Sequence, residues 1–322
     1  NNLLIFLNSN MPLNSDAKNC RVLVLLAACE GEKNIEKQLR SILDQDGVSV
    51  DVLVSVDPSL DATAEIVEAF AERDERVKVL PRITASGGAG QNFFRLLRDA
   101  DFAGNDFIAF SDQDDIWYPD KLLRATRMLS VNDADGYSSN VQAFWEDGSQ
   151  KLINKAQPQR KWDFLFESGG PGCTYVLKVP VLEEFRKLLL SRPDEACRIV
   201  LHDWSVYAFS RARGYRWIID PLPSMQYRQH ANNQFGVNAG WRAHLIRVKK
   251  IIDGWGISQS RLIARMVGLE NDPFFKPWRR AGRLGMLWLA LNANTARRKR
   301  SDRIIFAAAC LLLVIVGDRS DD

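Results

Sequence analysis

The chain has 322 residues, of which 46% are hydrophobic, 26% charged and 10% aromatic, a composition that excludes disordered, collagen-like and coiled-coil proteins. A formal net charge of +3 argues against a dedicated nucleic-acid binder. That total conceals an acidic body, residues 1–235 with 27 Lys+Arg and 33 Asp+Glu, and a basic tail, residues 236–322 with 16 and 7.

Residues 1–19 are expected to be an N-terminal extension, since the apolar stretch Leu3–Leu7 is too short for a signal-peptide core. Arg21–Ala28 is a continuous apolar run, the pattern of a strand buried on both faces. A helix follows over about Glu32–Asp44, with Ile35, Leu39, Ile42 and Leu43 at helical spacing. Val50–Val56 is a second strand, and Asp61 caps a helix carrying Ile66, Val67 and Phe70. Val77–Leu80 is a third strand and Gln91–Arg98 a third helix. Phe107–Phe110 is a fourth strand, leading through Ser111–Trp117 into a helix over Pro119–Leu129. Such alternation implies right-handed crossovers and a parallel sheet.

From about 135 to 235 the pattern loosens. Val141–Trp145 and Lys151–Ile153 suggest a hairpin, Gly169–Gly172 a turn, Val181–Leu190 and Asp203–Arg213 helices, and Trp217–Ile219 a short strand. Beyond 236 the chain is expected to be helical, broken at Pro273 and Pro277. Ile304–Val316 is thirteen apolar residues, short of the ~20 needed to span a bilayer. Cys20, Cys29, Cys173, Cys197 and Cys310 show no CxxC or Cys/His spacing, so neither a disulfide framework nor structural zinc is expected, and a reducing cytoplasm is the simplest location.

Sheets of this kind bind ligands at the carboxyl ends of their strands. Glu30, Asp57, Ser86–Gly90 and Asp112–Asp115 stand at four such ends. Three carboxylates within Asp112–Asp115 repel one another unless a cation sits among them, and hard oxygen ligands suit Mg²⁺ or Mn²⁺. The alternative is an acidic turn that caps the following helix. Asp203, in Leu201–Trp204, is equally open: a carboxylate suited to general-base work, or a helix N-cap. His230 can complete a metal's coordination, and Arg228 can take a phosphate bidentately, unless both are ordinary surface residues.

The segment SDQDDIWYPDKL, residues 111–122, with the alternating strands before it, resembles the inverting family-2 glycosyltransferases of the GT-A fold. Within them it is most similar to the rhamnosyltransferase-like group that builds bacterial polysaccharides. AACEGEKNIEKQLRSILDQ, residues 27–45, is similar to that family's first strand–helix unit, but carries Cys29 and Glu30 where a Tyr-Asn pair is common. SVDPSLDAT, residues 55–63, keeps Asp57 of the usual pair with Val56 in place of the other, and ASGGAGQNF, residues 85–93, resembles the segment that packs near the donor. The resemblance covers about residues 20–235. It implies a GT-A domain there, an α/β fold with a Rossmann-like, mostly parallel sheet flanked by helices, and leaves 236–322 as a basic helical extension.

By the same resemblance, Ala27, Glu30, Asp57, Gly87, Asn92, Asp112 and Arg228 face the donor nucleotide. Asp114, Asp112 and His230 hold Mg²⁺ or Mn²⁺, Asp203 is the base, and Gly172 and Trp204 lie on the acceptor side. The implied reaction is a metal-dependent inverting transfer from a nucleotide-diphosphate sugar, first of all rhamnose from dTDP-rhamnose. The acceptor would be a saccharide or a lipid-linked saccharide, in surface polysaccharide synthesis. A UDP-hexose transferase of the same fold and a non-catalytic nucleotide-sugar-binding module are the alternatives. An aspartyl-phosphate phosphohydrolase is disfavoured, because Ile116-Trp117 sits where its Thr should be. In the tail, Arg279, Arg280, Arg283, Arg297, Arg298, Lys299 and Arg300 lie among Trp278, Leu287 and Trp288. They form either a solvated face or a peripheral contact with the anionic inner surface of the cytoplasmic membrane. The oligomeric state is not legible.

Overall fold

The computed structural model describes residues 20–82, 84–229 and 254–317. Four parallel strands, β1 (Arg21–Ala28), β2 (Ser49–Val56), β3 (Val77–Val79) and β4 (Phe107–Ser111), stand in the order β3-β2-β1-β4. The helices α1 (Ile35–Leu43), α2 (Thr63–Arg73) and α3 (Ala89–Asp99) connect them. Side chains of a strand point alternately to its two faces. Val22, Val24 and Leu26 therefore pack with Ile35, Leu39, Ile42 and Val67 on one side. Leu23, Leu25 and Ala27 pack with Phe93, Leu96 and Leu97 on the other.

Beyond β4 the sheet becomes mixed. β5 (Ile116–Trp117), α4 (Lys121–Val131), β6 (Gly136–Phe144), β7 (Gln150–Ile153), β8 (Val176–Lys178), α5 (Val179–Ser191), α6 (Pro193–Ala196), α7 (His202–Ala212) and β9 (Trp217–Arg228) follow in chain order. The sheet continues from β4 through β8, β6 and β9 to β5, with β7 as the hairpin partner of β6. β8 runs antiparallel to both neighbours, whereas β6 and β9 are parallel.

The short strand expected over Trp217–Ile219 is in fact twelve residues long. Pro221 and Pro223 suggest an end there because proline cannot donate to a ladder. The β6–β9 register shifts at Ser139–Gln142, and this irregularity absorbs both prolines before pairing resumes through Arg228.

The C-terminal part forms α8 (Trp255–Met266), α9 (Arg283–Leu291), α10 (Ala293–Ala296) and α11 (Arg300–Val316). Trp278, Met286, Leu289, Cys310 and Leu313 join the same core as Leu25 and Phe93. Trp162 stacks on Phe274 at 4.7 Å between ring centroids, and Phe166 lies 5.2 Å from Trp278 and 4.9 Å from Phe306. Two tail residues placed on a surface by their sequence context are buried instead. Trp278 belongs to this aromatic cluster, and Arg298 ion-pairs with Asp163 at 3.5 Å and Glu167 at 3.4 Å while donating to the Ser168 carbonyl at 2.7 Å. Trp278 is buried by packing on Phe166, Phe274 and Phe275, and Arg298 because the Asp163–Ser168 segment offers the acceptors that a buried guanidinium needs. Among the described residues no helix is long and apolar enough to cross a membrane.

Arg298→Met should lower the unfolding free energy by about 1–3 kcal/mol, because the buried Asp163 and Glu167 carboxylates lose one ionic partner each and keep Arg211 and Arg297. Urea-unfolding midpoints of the two proteins check this.

Candidate active site

The strand ends of the parallel half are stitched together by side chains reaching between loops. Gln113 accepts the Cys29 N–H at 2.6 Å and donates to the Cys29 carbonyl at 2.6 Å, which binds the loop after β4 to the end of β1. Asp57 accepts from the Ser86 N–H at 3.1 Å and from the Ser86 hydroxyl, joining the end of β2 to the approach to α3. Asn92 donates to the Ser55 carbonyl at 3.1 Å and accepts from the Ser55 hydroxyl. Gly88, at φ 117°, turns the chain into α3 with a backbone that a side chain would strain.

These loops form one side of a cavity of about 950 Å³. Ala27, Asp57, Asn92, Asp112 and Asp114 line it, and Gly172, Asp203 and Trp204 line it as well. Glu30 does not. It adopts φ 54°, accepts the Leu60 N–H at 2.6 Å and so braces the loop after β2. Gly87 also stays off the wall, which its neighbour Gly88 supplies. Arg228 ends β9 behind the acidic loop, where its backbone N–H donates to Asp115 at 3.0 Å and its Nε to the Asp114 carbonyl at 2.8 Å. His230 lies outside the described residues.

The acidic loop is electrostatically tense. Burial, then the carboxylates of Asp114 and Asp203, push the Asp112 carboxyl up to about 7. Burial and the same kind of repulsion from Asp114 and Asp112 raise Asp115 well above the carboxylate range. Ligand atoms of Asp112, Asp115 and Cys173 all lie within 4.8 Å of one another, and Asp115 Oδ2 is buried with no hydrogen-bond partner among the described residues. Lys121 is wholly buried behind them, donating to the Cys173 carbonyl at 2.7 Å with its Nζ 3.4 Å from the Trp117 ring centroid. Burial pushes that ammonium down to about 7. Raised carboxyls beside a lowered ammonium mean that the buried cluster carries fewer full charges than its residues suggest.

Such a cluster fits a divalent cation. Asp112 and Asp114 are the half-buried, cavity-facing carboxylates, whereas Asp115 and Cys173 are buried and burial holds the thiol protonated. A hard ion would therefore sit on Asp112 and Asp114, not on the sulfur.

On the facing wall, α7 takes Leu201 as its N-cap, so Asp203 lies in the first turn and is not the cap residue. Burial lifts its carboxyl to about 6, against hydrogen bonds from the Trp204 N–H and the Ser168 hydroxyl and the attraction of Lys155. His202 stacks on Phe93 at 3.7 Å, and burial pushes its imidazole down to about 3, so it packs as a neutral ring. Gly172 permits the approach of these elements: a Cβ there would lie 2.8 Å from the Asp203 Cβ. Trp204 donates its indole N–H to the Phe164 carbonyl at 2.9 Å, which fixes the ring in the wall. The clamp by Gln113 and the wall positions of Lys155 and Arg297 had no local signature, because their partners lie far away in sequence.

A model of glycosyl transferase family 2 matches residues 23–174. The chain is 42% identical over 288 residues to the dTDP-rhamnosyl transferase RfbG of Shigella flexneri, covering 89% of this chain and 99% of that one. It is 30% identical over 176 residues to the UDP-Glc:alpha-D-GlcNAc-diphosphoundecaprenol beta-1,3-glucosyltransferase WfgD of Escherichia coli, covering 54% of this chain and 66% of the relative. In fold it is similar to residues 1–349 of S. aureus TarS in complex with UDP, with a TM-score of 0.54 at 14% identity, covering 93% of this chain and 89% of that one.

Proposed function

Because the chain belongs to glycosyl transferase family 2 and is a glycosyltransferase, we propose that it moves rhamnose from dTDP-rhamnose to a saccharide or lipid-linked saccharide, with inversion, in surface polysaccharide synthesis. The observation that carries the mechanism is the sharing of one cavity by the Asp112–Asp114 pair and Asp203. Asp57 and Asn92, on the strand-end wall, receive the nucleotide, and Gly88 lets the backbone approach it. Asp112 and Asp114 would hold Mg²⁺ or Mn²⁺, and such an ion would supply positive charge against that growing on the departing diphosphate. Arg228 acts from behind, keeping the acidic loop in shape through the Asp114 carbonyl and the Asp115 carboxylate.

Asp203 takes the proton of the acceptor hydroxyl as its oxygen bonds to the anomeric carbon. The bond from that carbon to the diphosphate oxygen breaks on the opposite face. One carboxylate base, with no enzymic nucleophile, gives inversion in a single step. Gly172 and the fixed face of Trp204 form the wall on which the acceptor sugar rests.

The C-terminal helices suit a membrane-borne acceptor. Leu284, Leu287, Trp288 and Leu291 of α9 are exposed, as are Ile304, Ile305, Leu311 and Ile315 of the adjoining α11. Arg279, Arg280, Arg283, Lys299 and Arg300 are exposed around them. An apolar face with a basic margin matches an anionic bilayer surface, where each cation near the lipid adds about 1 kcal/mol.

Asp203→Asn should reduce kcat by about 10²–10⁴-fold while leaving dTDP binding unchanged. A base works deprotonated, so with its carboxyl at about 6 the kcat/KM profile should be flat above that pH and fall as pH drops through it. Release of dTDP from dTDP-rhamnose with lipid-linked saccharide present measures both; wild-type turnover by the variant would end this mechanism. In sedimentation, the protein should pellet with vesicles of phosphatidylglycerol and phosphatidylcholine but not of phosphatidylcholine alone. Ile305→Asp should weaken that pelleting, and equal pelleting with both vesicles would contradict the charge-dependent contact.

A further inference from the structure

Lys155 follows β7 and is held by its backbone, whose N–H donates to Asn140 Oδ1 at 2.7 Å. Its side chain lines the cavity and acts on Asp203 from the acceptor wall. Burial depresses this ammonium; Glu167 offers the largest offset, and Arg298 and Arg297 repel it. Glu167, however, is engaged elsewhere: it accepts the Arg298 N–H at 2.6 Å and pairs with Arg298 Nη2 at 3.4 Å and Arg297 Nε at 3.9 Å.

The cations of this wall are answered unequally: three arginines have ion pairs, whereas Lys155 has the longer-range attraction of Asp203 and Glu167. Arg211, Arg297 and Arg298 are met by Asp163, Glu167 and Asp302. Lys155 remains as the cation with no ion pair or hydrogen bond from its ammonium among the described residues. Arg297, on the same wall, has a buried Nε without a hydrogen-bond partner among the described residues, the Glu167 carboxylate lying 3.9 Å away. Arg297 repels the Lys155 ammonium even though Glu167 and Asp302 lie 3.9 and 3.7 Å from its own guanidinium, and an anion seated on Lys155 would lessen that repulsion. A neutral sugar would not relieve it. Arg297 also stands three residues before α11, whose exposed face is apolar, so the wall is continuous with a surface suited to lipid.

We propose that Lys155 and Arg297 form a subsite for the phosphate-class linkage between the saccharide and the lipid of the acceptor, a conclusion that rests on the glycosyl-transfer reading of this cavity. The sugar then lies between this linkage and the donor, with its hydroxyl at Asp203, and the lipid leaves along α11.

Titration calorimetry tests the subsite on the full chain with the donor side filled by dTDP and Mg²⁺, using farnesyl diphosphate, farnesol and inorganic pyrophosphate as probes. Farnesyl diphosphate should bind, and both other probes should bind at least about tenfold more weakly, as expected for loss of a charge-assisted contact or of the lipid. Lys155→Met should weaken farnesyl diphosphate by about 10–100-fold without changing dTDP affinity, and Lys155→Arg should restore it. Equal binding of farnesyl diphosphate by Lys155→Met and wild type would overturn the proposal. So would farnesol or pyrophosphate binding as tightly as farnesyl diphosphate. Failure of the wild type to bind dTDP with Mg²⁺ would instead overturn the donor-site reading beneath it.

Discussion

Everything in this active site is arranged around like charges that share the end of one buried strand. Two carboxylates about 5 Å apart repel by about 3 kcal/mol at an effective dielectric constant near 20. The Asp112–Asp115 loop nevertheless keeps its shape because neutral and cationic groups hold it from outside. Gln113 fastens it to β1, the Arg228 N–H satisfies one oxygen of Asp115, and Lys121 lies buried behind. The remaining demand faces the cavity, through Asp112 and Asp114. A loop built this way is preorganised for a divalent ion and for the diphosphate that the ion would bring.

A second set of charges follows the opposite logic. The basic tail folds Arg298 into the core, where Asp163 and Glu167 answer it, and leaves Arg279, Arg280, Arg283, Lys299 and Arg300 outside. The inward part fixes the tail to the catalytic domain, and it also brings Arg297 to the cavity wall. The outward part frames apolar residues of α9 and α11. Nearly balanced total charge thus hides two different surfaces, one an acidic cavity wall, the other a basic margin around exposed apolar residues.

The parallel half of the fold was legible because its long strands are buried on both faces and appear as largely apolar runs. Polar residues that follow such runs lie at strand ends, which is why Asp57, Asp112 and Asp114 stand out in the sequence, whereas Asp203 is marked by its place at the start of a helix and by the family resemblance. Position in the chain was less informative about contact. Glu30 stands at a strand end yet braces a neighbouring loop, and Trp278 and Arg298, set in a basic segment, are buried. The length of β9 was hidden by Pro221 and Pro223, which a bulge accommodates. Lys155 and Arg297 line one cavity although more than a hundred residues separate them, and no periodicity or motif encodes that.

The central claim is a single displacement driven by one carboxylate, and the stereochemistry of the product tests it most directly. The anomeric configuration of the newly formed glycoside, read by proton NMR from the one-bond carbon–hydrogen coupling, should be inverted relative to the dTDP-sugar donor. Retention would require a group on the enzyme, or a second displacement, that this arrangement of Asp112, Asp114 and Asp203 does not provide, and would contradict the account.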